Sequence, residues 1–329
     1  MSASVPSELI DFIKKHQKFI VVGHREPDGD CIGSQLALAG ALKRLGKDAI
    51  VCSAGPFKRR EISPYRDRFF NVIGDKERAD ACVIMVDCST PYRIGNIADS
   101  LKGLPTAIVD HHAIGNHNDS STDAPVFLDP LAPSVTFMIL FLIQALGLEP
   151  TEEEVKLLFF GLCTDTGFFR HIDSTGAETF SVASYMIQHG ASPKEVFHAM
   201  NGGKSLASCH LLGLLLARAK AYFGGKLVIT VEEYHETQHF GLENRDSDTL
   251  YQLLQAIKGV KAIVVIRQET LKNCTVGLRS QDKINVAEIA ARFGGGGHKN
   301  AAGLSIDGTI EEVTPKILKA FADFHRLEH

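Results

Sequence analysis

Acidic and histidine side chains recur at four places in the first half of the sequence. The segment GHREPDGDCIGS carries His24, Asp28 and Asp30. The other three places hold Asp87, the triplet Asp110-His111-His112, and Asp165. Carboxylates from separate segments would repel one another if they were buried together, and divalent cations would remove that repulsion. Oxygen-rich ligands with imidazole suit Mn²⁺ or Mg²⁺ better than a thiolate zinc site, so these residues predict a pair of divalent cations.

Each place has a simpler explanation when it is taken alone. The first segment matches an ordinary turn, Asp87 and Asp165 could cap helices, and His111-His112 could be a surface pair. What favours a metal site is their joint placement, because three of the four places stand where predicted strands end. In open parallel sheets the loops at the carboxyl edge converge and form the ligand site.

Apolar runs predict the strands and helices that position these residues. We expect strands at 19–23, 48–53, 81–87 and 105–110, and helices at about 31–46, 134–147, 151–163 and 175–189. Because the runs lack polar alternation and are separated by helices, they predict a parallel, doubly wound α/β sheet covered on both faces.

A break rich in Gly, Pro and Ser near residues 190–205 separates a second region. There we expect helices at 205–219 and 246–257, and strands at 225–232, 260–269 and 273–280. This pattern indicates a smaller mixed α/β domain. The predicted division is a catalytic, metal-binding domain at 1–190, a linker with a connecting helix at 191–218, and a substrate-binding domain at 219–329.

Composition narrows the range of functions. The chain has 329 residues, 44% of them apolar, which is enough for two domain cores. A net charge of -4 provides no basic field for long nucleic acid, and no apolar run is long enough to span a bilayer. The amino-terminal segment lacks an apolar signal core. Seven cysteines without a CxxC pair predict a reducing cytoplasm, with Cys31, Cys88 and Cys163 as small buried fillers.

A second group of residues, near the carboxyl end, predicts a phosphate-binding site. Gly295, Gly296 and Gly297 belong to a glycine run followed by His298. Consecutive glycines let backbone N–H groups approach a phosphate closely, although such a run also suits a flexible linker. Arg279 ends an apolar strand pattern and could bind a phosphate in bidentate fashion, or remain a solvated charge.

Five ordered segments together resemble the DHH phosphoesterase superfamily, named for the triplet at 110–112. The segment GGGGHKNAAG at 294–303 is similar to the signature of its DHHA1 substrate-binding domain, so the resemblance runs from residue 23 to residue 303. In its compact length the chain resembles one branch of this superfamily, the bifunctional oligoribonucleases (nano-RNases) and 3′-phosphoadenosine 5′-phosphate (pAp) phosphatases. Two departures are Cys31, where alanine is common, and Phe137, near which an acidic residue often closes the Ser-Thr segment.

The resemblance implies a role for each acidic and histidine residue. It assigns the first metal to His24 and Asp28, the second to Asp30, His111 and Asp165, and both to Asp87. His112 would face the scissile phosphate, and Asp110 would orient a neighbouring imidazole. Removing either Asp30 or Asp87 should then abolish hydrolysis while the fold survives. The cations are expected to be Mn²⁺, with Mg²⁺ or Co²⁺ as alternatives, and to activate water for in-line attack.

The implied activity is hydrolysis of short oligoribonucleotides or linear dinucleotides to mononucleotides, with conversion of pAp to AMP as a second reaction. The substrate would be short and single-stranded, since a cleft between domains would exclude duplex. The protein itself could form a homodimer. Three alternatives stay open: an inorganic pyrophosphatase, a cyclic-dinucleotide phosphodiesterase and a non-catalytic nucleotide sensor. A dinucleotide-dependent dehydrogenase is disfavoured because HREPDGD replaces the G-x-G-x-x-G loop.

Overall fold

The computed structural model describes residues 4–112, 124–281 and 284–327. The chain forms two compact units, Met1–Gly203 and Lys204–His329, which we call the first and the second unit. None of the helices in the described ranges combines the length and the apolar character needed to cross a membrane.

The first unit is built on a five-stranded parallel sheet with the order β2-β1-β3-β4-β5. Its strands are β1 (Lys18–Val22), β2 (Asp48–Cys52), β3 (Ala81–Val86), β4 (Thr106–Asp110) and β5 (Val126–Leu128). Every side chain of β3 is buried, as continuous apolar runs predict for a sheet covered on both faces. The parallel sheet predicted from the sequence is confirmed. The short edge strand β5 was not predicted, because three residues form no recognisable run.

Helices surround this sheet. They are α1 (Ser7–Lys15), α2 (Gly29–Arg44), α3 (Asp75–Arg78), α4 (Ala98–Leu101), α5 (Val135–Ala145), α6 (Glu152–Asp165), α7 (Ala177–Gln188) and α8 (Pro193–Asn201). Side-chain oxygens of Asp28, Ser134 and Thr151 cap α2, α5 and α6. Pro193, which in the sequence suggests part of a break, lies in the first turn of α8 after the capping Ser192, where a proline starts a helix.

The second unit contains a mixed six-stranded sheet with the order β10-β11-β9-β8-β7-β6. Its strands are β6 (Lys220–Tyr222), β7 (Leu227–Glu232), β8 (Ala262–Thr270), β9 (Asn273–Ser280), β10 (Gly296–His298) and β11 (Ala301–Asp307). Its helices are α9 (Leu206–Ala217), α10 (Tyr234–Phe240), α11 (Ser247–Gln255), α12 (Val286–Ala291) and α13 (Ile310–Leu327). β7 and β8 are parallel and the other pairs are antiparallel, which confirms the predicted mixed α/β class.

Burial alternates along β9 and gives its sheet two different faces. Cys274, Val276 and Leu278 are buried against α12 and α13. Gly277 and Arg279 point to the opposite face, because successive strand residues project to opposite sides. The predicted phosphate-binding residues Arg279 and His298 therefore share one face of this sheet, both lying opposite Ala301 in register.

Candidate metal centre and substrate-binding face

The first group of predicted ligands lies just beyond the end of β1. Nε2 of His24 is 3.2 Å from Asp87 Oδ2 and 3.8 Å from Asp28 Oδ1. Nδ1 of the same ring lies 2.8 Å from the carbonyl oxygen of Arg25. This bond fixes the ring so that Nε2 faces the two carboxylates, the orientation that metal-binding imidazoles adopt.

The second group contains Asp30, His111 and Asp165, whose candidate ligand atoms all lie within 4.8 Å of one another. Nε2 of His111 is 3.5 Å from Asp165 Oδ2 and 3.9 Å from Asp87 Oδ1. Nδ1 of His111 lies 3.0 Å from the carbonyl oxygen of Ala132, so this ring too turns Nε2 toward the carboxylates. Asp87 is therefore close to both groups, through different oxygens.

Asp87 owes its position to the turn after β3. Its backbone has a φ of 58°, in the left-handed region where aspartate and asparagine are tolerated best among residues with a side chain. Its backbone N–H donates to the carbonyl oxygen of Val109 on the neighbouring strand, 3.0 Å away. The turn thereby directs a nearly fully buried carboxylate into the space between His24 and His111.

The electrostatics of these groups show the effect of burying acids together. Burial raises the pKa of Asp87 to about 7, and burial with the nearby charge of Asp30 raises that of Asp165 to about 6. Burial alone would lower the pKa of His24, but its contacts with Asp28 and Asp87 raise it above the ordinary value. A divalent cation would relieve the repulsion among these carboxylates. The donor set of carboxylate oxygens and imidazole nitrogens fits such a cation.

Asp30 has a structural function that the sequence did not reveal. Its carboxylate is fully buried and accepts three hydrogen bonds at the start of α5, from Val135 N (2.7 Å), Thr136 N (2.8 Å) and Thr136 Oγ1 (2.6 Å). A carboxylate at a helix N-terminus is favoured by the unpaired N–H groups and by the helix dipole. The segment around Ser134 and Thr136 thus holds Asp30 in place.

We expect Asp30→Ala to lower the free energy of unfolding of the metal-free protein by at least ~2 kcal/mol, because buried N–H and O–H donors lose their acceptor. The expectation from the sequence is that the fold survives, and these hydrogen bonds add that the variant is less stable. The measurement is urea denaturation in EDTA. The matched control is Asp165→Ala, which removes a carboxylate that accepts no hydrogen bond within the described ranges. Equal stability of the two variants would contradict the structural function of Asp30.

His112 and Asp110 form a pair beside these groups. His112 Nδ1 donates to Asp110 Oδ1 at 2.7 Å, and the backbone N–H of His112 donates to the same oxygen at 3.1 Å. Although burial acts in the opposite direction, these bonds hold the pKa of Asp110 below its ordinary value. Nδ1 is therefore engaged, and the His112 ring is half-exposed.

Cys31 lies among the candidate ligands, and the sequence predicts only a small buried filler there. It is fully buried, as predicted for a small filler, but its Sγ lies within 4.8 Å of ligand atoms of both His24 and Asp87. Its place directly after Asp30, in the first turn of α2, was the signal available in the sequence. Burial raises the pKa of the Cys31 thiol to about 12.

In the second unit, Arg279 is stacked on an aromatic ring that sequence reasoning missed. The guanidinium carbon lies 4.5 Å from the centre of the Tyr251 ring, and Nη1 donates to the Leu278 carbonyl oxygen at 3.0 Å. His298 ends β10 and is exposed. Nothing in the sequence around Tyr251, which lies on α11, links it to Arg279.

The glycine run forms part of a hairpin rather than an open loop. Gly296 and Gly297 belong to β10, which pairs with β11, and Gly295 precedes them. A Cβ on Gly295 would lie 2.4 Å from the Gly303 carbonyl oxygen, and one on Gly297 would lie 2.4 Å from the Ala301 carbonyl oxygen. Close backbone packing therefore requires glycine at these two positions. Gly296 is different, since a Cβ there would meet nothing within 4 Å.

Comparison with family models assigns both units. Residues 18–162 match the N-terminal domain of the DHH family, and residues 224–326 match the DHHA1 domain.

Similar proteins extend over almost the whole chain. A bifunctional oligoribonuclease and PAP phosphatase, NrnA, from Thermus thermophilus is 30% identical over 91% of this chain and 88% of its own. The cyclic-di-AMP phosphodiesterase PdeA of Listeria monocytogenes is 27% identical over 96% of this chain but 49% of its own. A crystal structure of an exopolyphosphatase-related protein from Bacteroides fragilis superposes with a TM-score of 0.84 at 22% identity, covering 99% of both chains.

Proposed function

The chain belongs to the DHH family, with a DHH domain followed by a DHHA1 domain, and from this we propose that it hydrolyses short oligoribonucleotides or linear dinucleotides to mononucleotides, with pAp as a second substrate. It is a hydrolase of phosphate ester bonds, as this family and its similarity to an oligoribonuclease and PAP phosphatase indicate. The observation that carries the proposal is the position of Asp87, which lies near His24 through one oxygen and near His111 through the other.

We propose that this centre binds two divalent cations, Mn²⁺ first and Mg²⁺ or Co²⁺ as alternatives. One cation would be held by His24, Asp28 and Asp87. The other would be held by Asp30, His111 and Asp165 together with Asp87. The supporting observation is that each imidazole is fixed through Nδ1, so that its Nε2 faces the carboxylates. When bound, such a pair supplies charge for the phosphate oxygens and activates water.

His112 is the proposed contact to the scissile phosphate. Asp110 accepts its Nδ1–H, which orients the ring. When the ring carries a proton on both nitrogens, Nε2 can donate to a phosphate oxygen or protonate the leaving oxygen. Asp110 is a positioning residue in this proposal, because it acts through His112.

In the second unit we propose that Arg279, His298 and the glycines Gly295, Gly296 and Gly297 bind the remainder of the substrate. Arg279 supports this because it forms no ion pair within the described ranges and so keeps its charge available. Gly295 and Gly297 would contribute by shaping the hairpin that presents His298. A chain with net charge -4 would depend on such local positive groups to hold an anionic substrate.

Replacing Arg279 with alanine should reduce kcat/KM for pAp or a linear dinucleotide about ten- to a hundredfold, because a charge-assisted hydrogen bond contributes roughly 1.5–3 kcal/mol. Cleavage of bis-p-nitrophenyl phosphate, which has no second phosphate, should hardly change. The measurement is kcat/KM for both substrates in each protein.

The matched control for this prediction is Lys319→Ala, which also removes a positive charge from the second unit. Lys319 is exposed on α13, which packs on the other face of the sheet. An equal fall of both substrates in Arg279→Ala would mean that Arg279 supports the fold or the metal site. No fall with either substrate would leave Arg279 as a solvated charge.

A substrate panel tests the proposed function directly. The purified protein with Mn²⁺ would receive pAp, di- to pentaribonucleotides, linear and cyclic dinucleotides, and pyrophosphate. Hydrolysis of short linear substrates or pAp, with cyclic dinucleotides and pyrophosphate much slower, is the expected result. Faster turnover of cyclic dinucleotides would favour the second candidate, suggested by the 27% identity to a cyclic-di-AMP phosphodiesterase. Binding of nucleotides without turnover would favour a sensor, and preference for pyrophosphate would favour a pyrophosphatase.

We also propose the substrates, the assembly and the cellular compartment of the protein. Short single-stranded RNA and small nucleotides are the proposed substrates, without duplex nucleic acid, and a homodimer is the proposed assembly. The cysteines are free thiols, and six of the seven are buried, which supports work in a reducing cytoplasm.

A further inference from the structure

Arg279 differs from the other partly buried arginines of the second unit in the group that contacts its guanidinium. Arg218, Arg245 and Arg267 each bind a glutamate side chain. Arg279 forms no ion pair in the part of the chain that the structure describes, and its guanidinium instead lies against the face of Tyr251, at 4.5 Å. An aromatic ring therefore takes the place of a carboxylate as its partner.

Stacking on a ring and pairing with a carboxylate differ in how much of the arginine remains available to a ligand. A carboxylate would occupy the N–H edge of the guanidinium and neutralise its charge. A ring contacts the face of the guanidinium and leaves the N–H groups at its edge free. At Arg279 a single N–H bond goes to Leu278 O among the described groups. The arrangement orders the side chain and keeps its donors and charge for an incoming anion.

Tyr251 can act as such a support because it is itself immobilised. Only 6% of its surface is exposed. It belongs to a buried cluster that includes Leu250 and Leu254 of α11 and Val265 of β8. This packing fixes the ring, and the fixed ring in turn holds the Arg279 guanidinium. Arg279 therefore has little conformational entropy to lose when it binds a ligand.

Gly277 makes room for Tyr251. It precedes Arg279 by two residues on β9, so both positions face the same side of the sheet. A Cβ on Gly277 would lie 2.1 Å from the Tyr251 hydroxyl oxygen and 3.3 Å from Cζ. The backbone of Gly277 is not left-handed, so the chain conformation does not require glycine there. Glycine generally weakens a strand, so its presence here needs a reason. The reason is the Tyr251 hydroxyl, which excludes any larger residue at position 277.

We propose that Tyr251 is a positioning residue for substrate binding, which holds the Arg279 guanidinium by its ring face and depends on Gly277 for its own place. The inference rests on the proposed function and deepens it, since Arg279 is there the group that binds a substrate phosphate. In this proposal Tyr251 acts on substrate affinity through Arg279.

The experiment compares KM and kcat for the linear dinucleotide pApA in wild type, Tyr251→Leu, Tyr251→Phe and Arg279→Ala. Tyr251→Leu should raise KM about three- to tenfold with kcat within about twofold, because a cation–π contact is lost. Tyr251→Phe keeps the ring face and should therefore retain the wild-type KM. In the Arg279→Ala background, Tyr251→Leu should have no further effect.

A second pair of variants tests the function of Gly277. Gly277→Ala should raise KM by displacing the Tyr251 hydroxyl, and adding Tyr251→Phe should largely reverse this, because the nearest ring atom is then 3.3 Å away. Thermal melting would report the folded state of each variant.

Four outcomes would overturn the inference. If Arg279→Ala raises KM but Tyr251→Leu does not, Tyr251 has no positioning function, while the proposed function stands. If Tyr251→Leu raises KM by the same factor with and without Arg279, its effect is structural. If wild type does not hydrolyse pApA, or Arg279→Ala leaves KM unchanged, the proposed binding function of Arg279 fails and the inference fails with it.

Discussion

Replacing Asp87 with asparagine is expected to reduce kcat/KM for every substrate by at least about a thousandfold, because charge is removed from the point shared by both ligand groups. One oxygen of Asp87 lies 3.2 Å from His24 and the other 3.9 Å from His111. Asparagine keeps the size of the side chain and tolerates the left-handed backbone. The measurement is kcat/KM at saturating Mn²⁺, with bound metal counted by elemental analysis.

Asp80→Asn is the matched control for this variant. Asp80 also has a left-handed backbone, with a φ of 59°, but it is exposed and precedes β3. The control should keep wild-type turnover and metal content. Near-normal turnover of Asp87→Asn at saturating Mn²⁺ would show that Asp87 does not bridge two cations.

The parallel sheet could be predicted from the sequence because its strands carry their signal locally. β3 is six consecutive buried residues, and such a run has few other interpretations. The candidate ligands could be predicted because Asp87 and Asp110 stand at strand ends and because the DHH resemblance orders the segments. Elements with short or ambiguous signals were not predicted. β5 has only three residues, and the proline that starts α8 is equally typical of a break between elements.

Contacts between segments distant in the sequence could not be predicted. Asp30 reads as a metal ligand, yet its hydrogen bonds go to Val135 and Thr136, more than a hundred residues away. Tyr251 reads as an ordinary core residue of an amphipathic helix, and its contact with Arg279 exists only after α11 packs on the sheet. Residue type and spacing indicate the chemistry that is available, whereas the supports of that chemistry come from tertiary packing.

Chelation of divalent metals is expected to abolish hydrolysis of pAp and dinucleotides, and Mn²⁺ should restore it better than Zn²⁺. The physical reason is the ligand set, in which carboxylates and imidazoles predominate and suit a hard or borderline cation. Mn²⁺ should also raise the melting temperature, because it binds the folded protein and its charge compensates the buried Asp87 carboxylate, whose pKa burial raises to about 7. The measurements are turnover and thermal melting after exhaustive chelation and after titration with each metal.

Cys31 makes this experiment sharper, because its buried thiol is the one soft donor among the candidate groups found in the described ranges. If the oxygen and imidazole ligands suffice for Mn²⁺, Cys31→Ala should regain wild-type turnover and the same rise in melting temperature with Mn²⁺. A loss of Mn²⁺-restored activity in Cys31→Ala would place the thiol among the ligands and revise the first group. Full activity of the wild-type protein after its metal content has been shown to be nil would remove the two-metal mechanism altogether.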